Sequence, residues 1–207
     1  MKTQTIINIV FAVAFMGYVV SQRNPTFDTI TCKIWHVVDA DGKERITAFT
    51  NADGDAGVQW LDKDGKMRIN AGTLFEGHAS VQWFDKDEKK RIDAATLADG
   101  QASVQLFDKD EKKRIDAATL AGGQASVTWF DKDEKQRINA FTDPDGEASV
   151  SWLDKDRKVR IGAGTHANGQ AGVSWRDKDG KGRIMATILA DGTVKLPTED
   201  LNPPKEP

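Results

Sequence analysis

"VQWFDKDEKKRIDAATLADGQAS", Val81 to Ser103, decides the fold, because the chain from Trp35 to Lys195 is seven variations on it laid end to end. A 23-residue step puts Val58, Val81, Val104, Val127, Val150 and Val173 in one column, with Trp60, Trp83, Leu106, Trp129, Trp152 and Trp175 two places later. Such a period overrides chain length as a guide to architecture. Each unit then carries an Asp-x-Asp pair, from Asp39/Asp41 to Asp177/Asp179, and an Arg-Ile pair, from Arg45-Ile46 to Arg183-Ile184.

Within a unit, "ASVQWF" and "RIDAAT" alternate apolar and polar side chains, with turn residues between them. That is the pattern of two half-buried strands per unit, fourteen in all. Ala98-Asp99-Gly100 reads as a three-residue hairpin loop ending on a left-handed glycine. Pro144-Asp145-Gly146 fits the same slots, with proline fixing the first φ. This loop sets Ile69 opposite Trp83, Ala71 opposite Val81 and Thr73 opposite Ala79.

The other turn, "DKDEKK", has glycine at positions 42, 65 and 180 but Glu88, Glu111, Glu134 or Arg157 elsewhere. A strict two-residue type I′ turn does not suit all seven, so a four-residue loop is expected. Either choice sets Trp60 opposite Ile69 and Val58 opposite Ala71. One face then carries rows of Trp/Ile, Val/Ala and Thr/Ala, and the other carries Arg68 beside Leu61 and Phe84, with Asn70 between Gln59 and Gln82. A one-residue slip would exchange the faces, so two turns that agree on them support the register.

The expected fold is therefore all-β: an elongated antiparallel meander of seven two-stranded repeats over residues 35–195, with an N-terminal hydrophobic helix. Stacking like columns about 4.8 Å apart in a parallel solenoid would line up the Asp pairs without compensation, whereas an antiparallel meander spaces them about twice as far. A propeller blade needs four strands and a longer repeat. One open layer leaves the Trp/Ile face wet, so a cover is expected, either the same sheet rolled on itself or further copies of the chain.

Flanking the repeats, Ile6 to Val20 is an apolar run broken only by Asn8 and Gly17, with Lys2 before it and Arg23 after it. Residues 1–22 read as a signal peptide or a membrane anchor, and 23–34 as a linker. This makes the chain exported: anchored facing the extracytoplasmic side, or secreted if the segment is cleaved. Residues 196–207, with four prolines, read as a disordered tail. Acids and bases nearly cancel, 32 against 29, and alternate within every unit, which argues against a nucleic-acid partner. Cys32 is the single cysteine, so no internal disulfide framework and no cysteine-based zinc cage exists.

Units such as "VVDADGKERITAF" (Val37 to Phe49) and "LDKDGKMRINAGTLFEGHASVQW" (Leu61 to Trp83) resemble tandem DxDGKxRI hairpin repeats of poorly characterised exported bacterial proteins. The 23-residue step and two-strand meander are also similar to MORN repeats, without their paired Gly-x-Gly and tyrosines. These resemblances imply architecture and export, and little chemistry.

The Asp-x-Asp-Gly-Lys turns share the opening of a calcium loop but lack its further oxygens and closing glutamate. They read as charged hairpin turns, with weak calcium binding between neighbours as the alternative, and no metal or other cofactor is expected. His36, His78 and His166 occupy different columns and form no repeated site. Seven copies of one turn repeat structure rather than build an irregular catalytic centre, so no catalytic residue and no enzyme is expected. The one candidate binding feature is the aromatic row Trp60, Trp83, Trp129, Trp152 and Trp175, able to stack on sugar rings or grip a protein. Its alternation with Ile and Val points to burial. The expected roles are a structural stalk, scaffold or adhesive surface, with a carbohydrate- or cell-envelope-binding module as the alternative. The expected partners are further copies of the chain or an envelope component, with the membrane reached through the N-terminal segment.

Overall fold

The structure, a computed structural model, describes residue 29 and residues 31–74 and 76–196. The helix expected over Ile6 to Val20, and the tail beyond residue 196, lie outside the described residues. The repeats form fifteen strands, from β1 (Ile34–Val38) and β2 (Glu44–Thr50) to β14 (Gly182–Ile188) and β15 (Val194–Lys195). All belong to one antiparallel sheet in strict chain order. The last strand adds one to the fourteen expected.

Every strand touches only its neighbours in sequence, so the sheet is open and is not rolled on itself. Alternation of side chains across a strand then presents two faces to solvent. Among the described residues none is buried, so the sheet has no core in the ordinary sense. Its order comes from the ladder, from cross-strand pairs and from the turns.

The register is the expected one. Trp60 lies opposite Ile69, which lies opposite Trp83, which lies opposite Ile92. Val58, Ala71 and Val81 form the next row, and Ala56, Thr73 and Ala79 the third. On the reverse face Gln59, Asn70, Gln82 and Asp93 make the middle row.

The route round the Asp turn differs from the four-residue loop. Asp62 N–H donates to the Lys66 carbonyl at 2.8 Å, and Gly65 N–H donates to the Asp62 carbonyl at 3.1 Å. That is a three-residue loop, wired like the Leu97–Gln101 turn, where Gly100 N–H donates to Leu97 at 3.0 Å. A three-residue loop alone would move Ile69 off Trp60. One extra residue corrects it: Leu61 pairs with Met67, Trp60 with Ile69, and the β-bulge falls at Arg68. The same shift recurs at the equivalent place in the later hairpins.

The loop geometry demands a left-handed residue at its third position. Glycine supplies it at Gly65, with φ of 80°, yet Glu88, Glu111, Glu134 and Arg157 adopt φ between 57° and 63° in the same slot. Part of the reason is visible. Glu111 Oε1 accepts the Lys90 backbone N–H of the preceding unit at 3.1 Å, and Glu134 accepts that of Lys113 at 3.2 Å.

Candidate interaction face

The two faces differ in chemistry. On the reverse face, Lys90 Nζ pairs with Asp93 at 2.6 Å and sits 4.9 Å from the centre of the Phe107 ring, and Lys113 repeats this with Asp116 and Phe130. Gln82 adds a bond to Asp93 at 3.3 Å. These side chains satisfy one another. The Trp/Ile face has no such network: its strand positions hold Trp, Ile, Leu, Val, Ala and Thr, and none is charged.

All five candidate tryptophans fall in one row on this face, brought there by the alternation of the strand and by the bulge at each Arg. The burial expected for them is not found. Trp60 and Trp83 are half-buried, while Trp129, Trp152 and Trp175 are exposed at 36, 39 and 40%. Among the described residues an open single layer supplies lateral neighbours and nothing above, which is the physical reason. Where Leu106 replaces tryptophan, Val104 beside it rises to 44% exposure. The Gln, Asn and Asp side chains that would orient a sugar lie on the opposite face.

The Asp turns form one long edge of the sheet, and their chemistry is spent on structure. In every unit Oδ1 of the first aspartate accepts two backbone N–H groups, as Asp62 does from Asp64 at 2.8 Å and Lys66 at 3.0 Å. Its Oδ2 pairs with the bulge arginine of the same hairpin, as Asp154 does with Arg160 Nε at 2.7 Å. Arg45, Arg91 and Arg114 also donate through Nη1 to the carbonyl of the next unit's first aspartate, Asp62, Asp108 and Asp131. Lysines repeat the link, Lys66 Nζ reaching the Lys86 carbonyl at 2.9 Å and Lys112 the Lys132 carbonyl at 3.1 Å. This edge therefore staples unit to unit.

The wiring holds the first aspartates below the ordinary carboxyl value. At Asp131 the Lys135 N–H is the strongest influence; with the Asp133 N–H and the Arg137 guanidinium it outweighs desolvation and brings the carboxyl to about 2. At Asp85 desolvation is the largest influence and acts upward. The Lys89 and Asp87 N–H groups and Arg91 together overcome it, again to about 2.

Among the described residues no group of three or more His, Cys, Asp or Glu side chains comes together in a way that would hold a metal. The histidines stand apart, His36 beside Thr47 at 3.2 Å and His166 beside Glu147 at 3.2 Å.

No protein-family model matches the chain, and no curated protein is similar to it in sequence. Among solved structures it is similar to the TCP domain of SAS-4 (dCPAP) of Drosophila melanogaster, determined in complex with a proline-rich motif of Ana2 (dSTIL). The two are 14% identical with a TM-score of 0.46, over 85% of this chain and 96% of that one.

Proposed function

We propose that this chain is a non-enzymatic, exported or membrane-anchored repeat protein whose sheet serves as a scaffold, stalk or adhesive surface. Its working surface is the Trp/Ile face. The observation that carries this reading is an uncharged apolar face, continuous across the repeats and without cover from any other described residue. Its extent is about 67 Å by 20 Å, fourteen strand spacings by six residues. Monomeric proteins rarely expose patches larger than a few hundred Å², and larger ones mark interaction sites. Export and anchoring rest on the apolar run Ile6 to Val20 and its flanking Lys2 and Arg23.

The test compares the full chain with a Trp129→Thr, Trp152→Thr, Trp175→Thr variant, both extracted in detergent, for self-association by sedimentation and for retention on isolated envelopes of the source cell. Threonine suits a strand and is already abundant on this face. Unchanged far-ultraviolet dichroism with reduced self-association or reduced retention is expected; equality with the parent in both would overturn the reading. The even spacing of half-exposed indoles favours one alternative, a carbohydrate-binding module. Polar partners lie on the wrong face for it, and silence on a glycan array would remove it.

A further inference from the structure

Resting on the reading that the Trp/Ile face is the working surface, we propose that its occupant is the same face of a second copy. The two chains are related by a two-fold axis running along the ladder direction, in the plane midway between the sheets.

Two features of the sheet point to this arrangement. The first is the grading of side-chain size along each strand. The row nearest the Asp turns is large, as in Trp60, Ile69 and Trp83; the middle row is intermediate, as in Val58 and Ala71; the third is small, as in Ala56 and Thr73. A two-fold axis along the ladder lays the large row of one copy over the small row of the other and the middle row over itself. The gap is then filled evenly, as two sheets about 10 Å apart require. An axis along the strands would stack tryptophans on tryptophans and leave a slot over the alanines.

The second feature is charge, which is independent of the first. The seven Asp-turn segments, Asp39–Arg45 through Asp177–Arg183, hold twenty-three bases against eighteen acids. The loops at the other ends of the strands, Asn51–Asp55 through Leu189–Thr193, hold eight acids and no lysine or arginine. The same axis sets the positive edge of each copy alongside the negative edge of its partner; the axis along the strands sets like edges together. The area is sufficient as well. Covering one face on each copy removes about 2,600 Å², above the roughly 1,600 Å² of a standard interface.

Single cysteines test the axis. The full chain with Cys32→Ser, kept in the membrane or medium fraction where it is found, carries one cysteine at a time and is treated with a short thiol-reactive cross-linker. The positions are Ala71 on β4 (Met67–Thr73), Ala117 on β8 (Lys113–Thr119) and Ala163 on β12 (Val159–Thr165), all in the middle row. The proposed axis passes over each of them, so covalent dimers are expected at all three. Linking at Ala117 alone, the central strand, would indicate the axis along the strands and overturn the proposal. So would no linking anywhere, or equal linking from Ser103→Cys on the reverse face. If cross-linking fails while the triple-tryptophan variant still loses envelope retention, the face serves another partner. If both fail, the face is not the working surface.

Discussion

Replacing Arg157 with glycine should stabilise the sheet, and the size of the gain follows from one torsion. Arg157 holds a φ of 63° in a slot where Gly42, Gly65 and Gly180 hold 76 to 82°. A side chain in the left-handed region costs about 1–2 kcal/mol. Glycine removes that cost but gives back roughly 0.5–1 kcal/mol through the greater freedom of the unfolded chain. The net gain is about 0.5–1 kcal/mol, which for a chain of this size raises the melting midpoint by about 1–4 °C. At Glu111 the same relief is offset, because the substitution also removes the acceptor of the Lys90 N–H at 3.1 Å. That bond is worth about 0.5–1 kcal/mol, so Glu111→Gly should leave the midpoint nearly unchanged. Thermal melts of the two variants beside the parent, followed by far-ultraviolet dichroism, decide the matter. A lowered midpoint for Arg157→Gly would refute the strain argument, and equal gains at both sites would refute the role given to the glutamate.

The inter-unit clamp gives a positional prediction: Arg114→Ala should lower the urea midpoint clearly and Arg183→Ala hardly at all. Arg114 is 28% exposed and donates to the next unit's Asp131 carbonyl, whereas Arg183 is 57% exposed and no further Asp-x-Asp pair follows Asp177/Asp179 in the sequence. Acid should unfold the array between about pH 4 and pH 2. The first aspartates titrate lower when folded than unfolded, so their contribution is complete above the ordinary value near 3.8 and is lost as pH falls below it, through about 2 at Asp85 and Asp131. Urea midpoints measured from pH 5 down to pH 2 should be flat and then drop, and Asp131→Asn should blunt the drop. Chelator should leave the melting midpoint unchanged, because Asp62 and its equivalents already spend both carboxylate oxygens on backbone N–H groups and arginine; a lowered midpoint would revive a calcium role.

Much of this molecule was legible in its sequence because a repeat states the same constraint seven times. The Val and Trp columns gave the strand faces, and the Ala-Asp-Gly loop gave the pairing of Ile69 with Trp83. The Asp turn was harder to read. Glutamate and arginine at its third position argue against a left-handed residue, and an even-numbered loop keeps the faces just as well as an odd loop plus a bulge. The signal that separates the two was present in Gly42, Gly65 and Gly180, which sit at the same loop position as Gly100 in the opposite turn. Exposure of the aromatic row was beyond the sequence. Alternation tells which side chains share a face, and says nothing of what lies above it.

Contact restricted to successive strands has a genetic consequence. Ala79 to Gln101 and Ala102 to Gln124 differ at two of 23 positions, Trp83/Leu106 and Asp99/Gly122. Stretches so alike invite misaligned recombination, and an exchange in phase would delete or duplicate one whole unit. In a closed barrel that would break the seam. Here it changes the length by about 9.6 Å and leaves both ends and every junction as they were. Selection could thus tune the reach of this protein in fixed increments, with no need to mend the fold after each step.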